Sequence, residues 1–217
     1  MMNQREPDTR AAELSAVLTQ VLAAQEDERR AVTHILREEV GQALAALALN
    51  LRVLEQRSGQ PAEAGLLGDM RQMTARALRD LEQLQRCLYP PALESQGLVF
   101  ALEVYIRDFV SLSQIGVELD AEVPPLRLAA DVEIALFRIA QDALEHLRQQ
   151  AGVSSVCLRL RLIKQHAYLV IEADCPADIA GWRGALIAAR AAAAGGRCAL
   201  AGGRFEVALP LVERNGT

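Results

Sequence analysis

SSVCLRLRLIKQHAYLVIEA, residues 154–173, holds two β-strands in direct succession: residues 154–163 and 167–173 are rich in Val, Ile, Leu and Tyr, with a short polar break between them. His166 falls in that break and suggests no role of its own. Downstream, WRGALIAARAAAAGG (182–196) has a helical pattern, and RCALAGGRFEVALPL (197–211) reads as a closing hairpin turned by its paired glycines. Upstream lie a helix (97–113), a strand GVELDAEV (116–123) and a second helix (129–151). Two adjacent strands, then a helix, then a hairpin define an α+β layer structure and not a doubly wound parallel sheet.

Before Pro91 the period is helical throughout. Leu14, Leu18, Val21, Val32, Leu36, Val40, Leu44, Leu47, Leu51 and Leu54 recur three and four apart, which predicts one long helix, or two joined end to end, over 10–57. RSGQPAEAG (57–65) supplies Gly59 and Pro61 as a stop, and a second helix resumes over 66–88 until YPP ends it. Such a hairpin cannot cover its own apolar stripe, so a homodimer forming a four-helix bundle is expected.

Composition bounds the function. The 217 residues, 51% hydrophobic and 24% charged, suit one or two soluble globular domains. A net charge of -5, with Lys164 the sole lysine, argues against a nucleic-acid binder, whose affinity comes from neutralising phosphates. No apolar run approaches the roughly 20 residues of a membrane span, and residues 1–17 lack a signal-peptide core, so a cytoplasmic protein is expected. Cys87, Cys157, Cys175 and Cys198 are too scattered for a zinc site or a disulfide scaffold, and neither metal nor cofactor is expected.

Several ordered segments resemble the sensor histidine kinases of the nitrate and desaturase-sensor subfamily. ERRAVTHILREEVGQAL (28–44) is similar to the phosphoacceptor helix, LYPPALESQGLVFAL (88–102) to L-x-P-x-x-L-x-x-x-G-L-x-x-A-L, ALFRIAQDAL (135–144) to F-R-I-x-Q-E-A-L, and RAAAAGG (190–196) to R-A-x-x-L-G-G. The resemblance covers residues 26–211. It implies a helical lead-in (1–25), a dimerisation and phosphotransfer-like hairpin (26–90) that forms a four-helix bundle in the dimer, and an ATPase-like α/β sandwich (91–217).

The departures fall on the chemistry. Arg37 stands where the family has its phosphorylatable histidine. The metal-binding asparagine, four residues after the acidic Asp142, is His146. The adenine-binding D-x-G-x-G becomes ADCPAD, which puts Ala173 on its aspartate and Cys175 on its first glycine, with Asp174 one residue away as a substitute. The nucleotide lid shrinks to DIAGWRG, where Trp182 by default fills the core, and Leu186 occupies the key glycine of the turn that follows. Without a glycine-rich phosphate cradle, neither nucleotide binding nor autophosphorylation is expected.

In this subfamily the residues matching Glu38 and Gln42 form a phosphatase pair, the glutamine orienting a water against a receiver's phosphoaspartate. At 100° per residue both project away from the stripe Val32, Leu36, Val40, Leu44, Leu47, Leu51, with Arg37 at its boundary. Glu38, Gln42, Ala45 and Leu49 recur at i, i+4, i+7 and i+11, an outward strip whose Leu49 a solvated face does not need. The resemblance implies a receiver-binding strip that includes Arg37. Three readings stand: a regulatory module that binds a response-regulator receiver domain or a partner histidine kinase; a phosphoaspartate phosphatase using Gln42 and Glu38; and, behind both, phosphotransfer through His34. The plain alternatives are a solvated Glu38–Gln42 pair, a surface His34 and a structural His146.

Overall fold

The computed structural model describes residues 5–57, 61–122, 127–175 and 182–211. The chain divides into two compact units: Ala24–Pro91, and Ala92–Thr217 together with Met1–Ala23.

Three elements form the first rod: α1 (Arg5–Ile35), a π-helical turn (Leu36–Gly41) and α2 (Gln42–Arg57). After the break α3 (Pro61–Leu88) returns. Pro61 therefore opens a helix instead of stopping one, because the first turn needs no N–H donor there, proline has none, and its fixed φ suits that position. The expected single stripe separates into two rows. Leu44, Ala48 and Leu51 face α3, the first two half-buried and Leu51 with 3% of its surface exposed. Val40, Leu47 and Leu54 lie to one side and stay open. On α3, Thr74 and Leu81 are buried, whereas Leu66, Met70, Met73 and Leu84 are open, Met73 to 69%. Each open row sits roughly 60–90° from its inner row by helical phase, and in an antiparallel pair both offsets fall on the same side of the hairpin. The buried hydroxyls of Thr33 and Thr74 donate to the carbonyls of Arg29 (2.8 Å) and Met70 (2.9 Å), so neither is left unsatisfied.

The second unit carries α4 (Pro91–Gln96), a short helix absent from the sequence reading, then α5 (Leu98–Ser113), β1 (Gly116–Glu122), α6 (Ala130–Arg148), β2 (Ser155–Ile163), β3 (His166–Ala173), α7 (Trp182–Ala193), β4 (Arg197–Ala201) and β5 (Arg204–Pro210). The strands form one mixed sheet of order β1-β2-β3-β5-β4, with β1 parallel to β2 and the other pairs antiparallel. Period-two alternation gives the core: Leu158, Ile171 and Phe205 align across three strands, as do Leu160, Leu169 and Val207, all essentially inaccessible to solvent. Burying each such side chain is worth about 1.5–3 kcal/mol. On the other face Arg159 pairs with Glu172 (3.0 Å) and Arg161 with Asp120 (2.5 Å), a charged surface suited to water. The turn from α7 into β4 requires glycine twice. Gly195 has φ +72°, and a Cβ on Gly196 would overlap the Ala208 carbonyl and the Leu209 side chain. This is a helical part followed by an α+β sandwich, the fold class read from the sequence.

Candidate functional site

The first set of predicted residues lies on the π turn and α2. Arg37, Glu38, Gln42, Ala45 and Leu49 are all exposed, Leu49 to 62%. The Gln42 amide nitrogen donates to a Glu38 carboxylate oxygen at 2.9 Å, which fixes the amide's direction and leaves its carbonyl outward. Val53, four residues after Leu49 and 38% exposed, extends the strip; four-residue spacing alone was enough to find it. His34 is also exposed.

The second set lies in the sandwich unit. On α6 an apolar face (Leu136, Ile139, Ala140, Ala143, Leu144, Leu147) is fully buried, and Asp142 and His146 sit one turn apart on its flank. Asp142 is engaged: its carboxylate accepts a hydrogen bond from Arg190 Nε at 2.7 Å, and the two side chains are only 17% and 9% exposed. Arg190, on α7, escaped the sequence reading as a partner, since nothing local links residues so far apart in the chain. His146, 7% exposed, meets the Phe205 ring edge-on (centroids 6.1 Å apart, 81° between planes) and lies 3.4 Å from the Gln150 amide. It is built into the core.

At the end of β3 the Ala173 N–H donates to the Gly203 carbonyl (3.1 Å). Asp174 accepts from Ser154 Oγ (2.6 Å), Ser154 N (3.1 Å) and Ser155 N (3.0 Å). The Ser154 hydroxyl first, then these backbone amides, hold its carboxyl below the usual range. Its acceptor sites thus staple the start of β2 to the end of β3. Cys175 is half-buried, and Leu186 is half-buried within α7, where the family's pattern has a glycine turn. Nearby, a shallow cleft of ≈ 470 Å³ is lined by Cys157 and by the carboxylates of Glu118, Glu172 and Asp174, of which Glu172 pairs with Arg159 and Asp174 with Ser154. The lid residues 178–181 and the side chains of Leu14, Cys87 and Trp182 lie outside the described residues. Among the described residues, no group of three or more His, Cys, Asp and Glu could hold a metal ion, and no helix is long and apolar enough to cross a membrane.

Comparison with known proteins shows what this helical hairpin and the α+β sandwich after it are similar to. No family model matches the chain. Its curated relatives are sensor histidine kinases. Over 165 residues it is 28% identical to the signal transduction histidine-protein kinase/phosphatase DegS of Brevibacillus brevis, covering 75% of this chain and 43% of that protein. Over 149 residues it is 27% identical to the sensor histidine kinase MctS of Rhizobium johnstonii, covering 68% and 32%. The chain thus spans less than half the length of these relatives. Similar solved structures include the histidine kinase domain of the Erythrobacter litoralis EL346 blue-light activated histidine kinase (13% identity, 78% of this chain and 94% of that one, TM-score 0.49) and Acinetobacter baumannii histidine kinase AdeS (16%, 79% and 97%, 0.41).

Proposed function

We propose that this is a histidine-kinase-like regulatory protein of a two-component pathway that binds a response-regulator receiver domain without autophosphorylating. The observation that carries the reading is the outward strip of Glu38, Gln42, Ala45, Leu49 and Val53. Leu49 belongs to neither the row that faces α3 nor the open row of Val40, Leu47 and Leu54, yet it is 62% exposed. Polar above and apolar below, the strip suits a receiver's amphipathic helix, and Arg37 at its top suits the acidic pocket in which a receiver is phosphorylated. The hairpin's open face, with Leu47, Leu54, Met70 and Met73, is assigned to a second copy of the chain in a four-helix bundle. The sandwich unit is read as having lost its nucleotide: Asp142 is committed to Arg190, His146 to the core, and Leu186 to a helix.

A second reading has its own observation. The Gln42–Glu38 hydrogen bond holds an exposed amide as dephosphorylation of a receiver requires, although glutamate lengthens the family's aspartate by one methylene. Mixing the chain with a phosphorylated receiver separates the two. Binding without phosphate release supports the module; release that Gln42→Ala abolishes supports the phosphatase; and the absence of both refutes the docking face.

A further inference from the structure

The rod made by α1, the π turn and α2 changes step once. From Glu26 on, its less exposed residues run Glu26, the neighbours Arg29 and Arg30, Thr33 and Leu36, then Gly41, Leu44, Ala48, Leu51 and Glu55. Each series is spaced by threes and fours, but Leu36 and Gly41 are five apart. The open apolar residues make the same jump, running Val32, Ile35, then Val40, Leu47, Leu54. In an uninterrupted α-helix five residues advance about 500°, roughly 140° out of line. A π turn, bonded i→i+5, absorbs the surplus residue. The π turn closes at Gly41, where a Cβ would make ordinary contact with the Leu36 carbonyl oxygen (3.4 Å) and the Leu81 side chain (3.7 Å).

The consequence falls on Arg37. It precedes Leu44 by seven residues, and His34 precedes Gly41 by seven, so an unbroken α-helix in the register of α2 would set both within about 20° of the row that faces α3. In the structure Leu36 and Thr33 take those places, and Arg37 and His34 stand exposed. We propose that the π turn is the device that builds the top of the docking strip: by taking up one residue it swings Arg37 and His34 outward, beside Glu38 and Gln42 and in line with Leu49, where the Arg37 charge meets an anionic pocket. The nature of that partner rests on the docking face proposed above; the register does not.

Cysteine substitutions in the whole chain test it. Thr33→Cys, His34→Cys, Leu36→Cys, Arg37→Cys and Gln42→Cys are each labelled with a maleimide, and each site is quantified by peptide mass so that the native cysteines do not interfere. Positions 34 and 37 are expected to react within about threefold of position 42, and 33 and 36 at least about tenfold more slowly. The reverse order, or equal rates at all five, would overturn the proposal. A second arm guards against variants that misfold. Deleting Glu39 turns the five-residue step into four and should leave the melting temperature within a few degrees, whereas deleting Ala46 turns Ala48 and Leu51 about 100° away from the Leu44 face and should lower it sharply. Equal losses would also overturn it. Correct labelling with no receiver bound would refute the docking face and leave the register standing.

Discussion

Removing the Asp142 carboxylate tests whether the acidic residue of α6 is structural or a remnant of nucleotide chemistry. It accepts a 2.7 Å hydrogen bond from Arg190 Nε, and with 17% and 9% of the side chains exposed the pair is shielded on most sides. Deleting one member of such a pair strands the other's charge in a poorly solvated place, a change worth roughly 3–5 kcal/mol. Asp142→Ala should therefore lower the melting temperature of the sandwich unit by about 10–25 °C, taking about 3–5 °C per kcal/mol for a domain of this size. Arg190→Leu should do the same. The double variant Asp142→Leu with Arg190→Leu should recover most of the loss, since replacing both charges with apolar groups of similar shape leaves nothing unpaired. Calorimetric melts of the unsubstituted chain, Asp142→Ala, Asp142→Leu, Arg190→Leu and the double variant are sufficient. A loss under about 1 kcal/mol in Asp142→Ala, or strictly additive losses in the double variant, would refute the structural reading and return Asp142 to a free, functional carboxylate.

Leu47→Asp places a charge in the open hairpin face and should convert a dimer at low micromolar concentration into a monomer by light scattering; a monomeric unsubstituted chain would contradict the bundle. Asp174, whose folded pKa is lowered, stabilises fully above the ordinary carboxylate value of about 3.9, and the contribution is lost as pH falls through the folded value. The difference in melting temperature between the chain and Asp174→Ala should therefore shrink as pH drops from 6 to 3, and a difference that grows on acidification would count against the staple. Gly196→Ala forces a methyl group into the Ala208 carbonyl and should destabilise by more than about 2 kcal/mol in a denaturant titration, with an unchanged midpoint the contrary result.

The sheet was legible because period-two alternation is a local signal: the apolar positions of 154–173 reappear as the inward rows of β2 and β3, and only a short turn separates the strands. The outward strip was legible for the same kind of reason, a leucine where a solvated face has no use for one. What the sequence reading missed is longer in range or finer in phase. Assuming a uniform 100° per residue merged Leu51, which is buried, with Val40 and Leu47, which are open, because Val32, Leu36, Val40 and Leu44 also fit four-residue spacing. The step of five from Ile35 to Val40 was the available clue. Ala48, which completes the inner row, is too small to register as part of an apolar stripe beside Leu47 and Leu49. Pro61 fits a helix stop and the first position of a helix equally well, and the local sequence does not separate the two. The Asp142–Arg190 pair had no local trace, since it depends on how α6 and α7 pack.

In the proposed function the chain recognises a receiver through α2 and needs no nucleotide to do so. The most direct measurement of this is calorimetric titration of the chain with magnesium-ATP and with a panel of purified receiver domains. No heat of binding is expected from micromolar magnesium-ATP, and for at least one receiver a saturable isotherm is expected that is the same with or without ATP and is abolished by Leu49→Arg at an unchanged melting temperature. A magnesium-dependent ATP isotherm, or receiver binding that Leu49→Arg leaves intact, would contradict it.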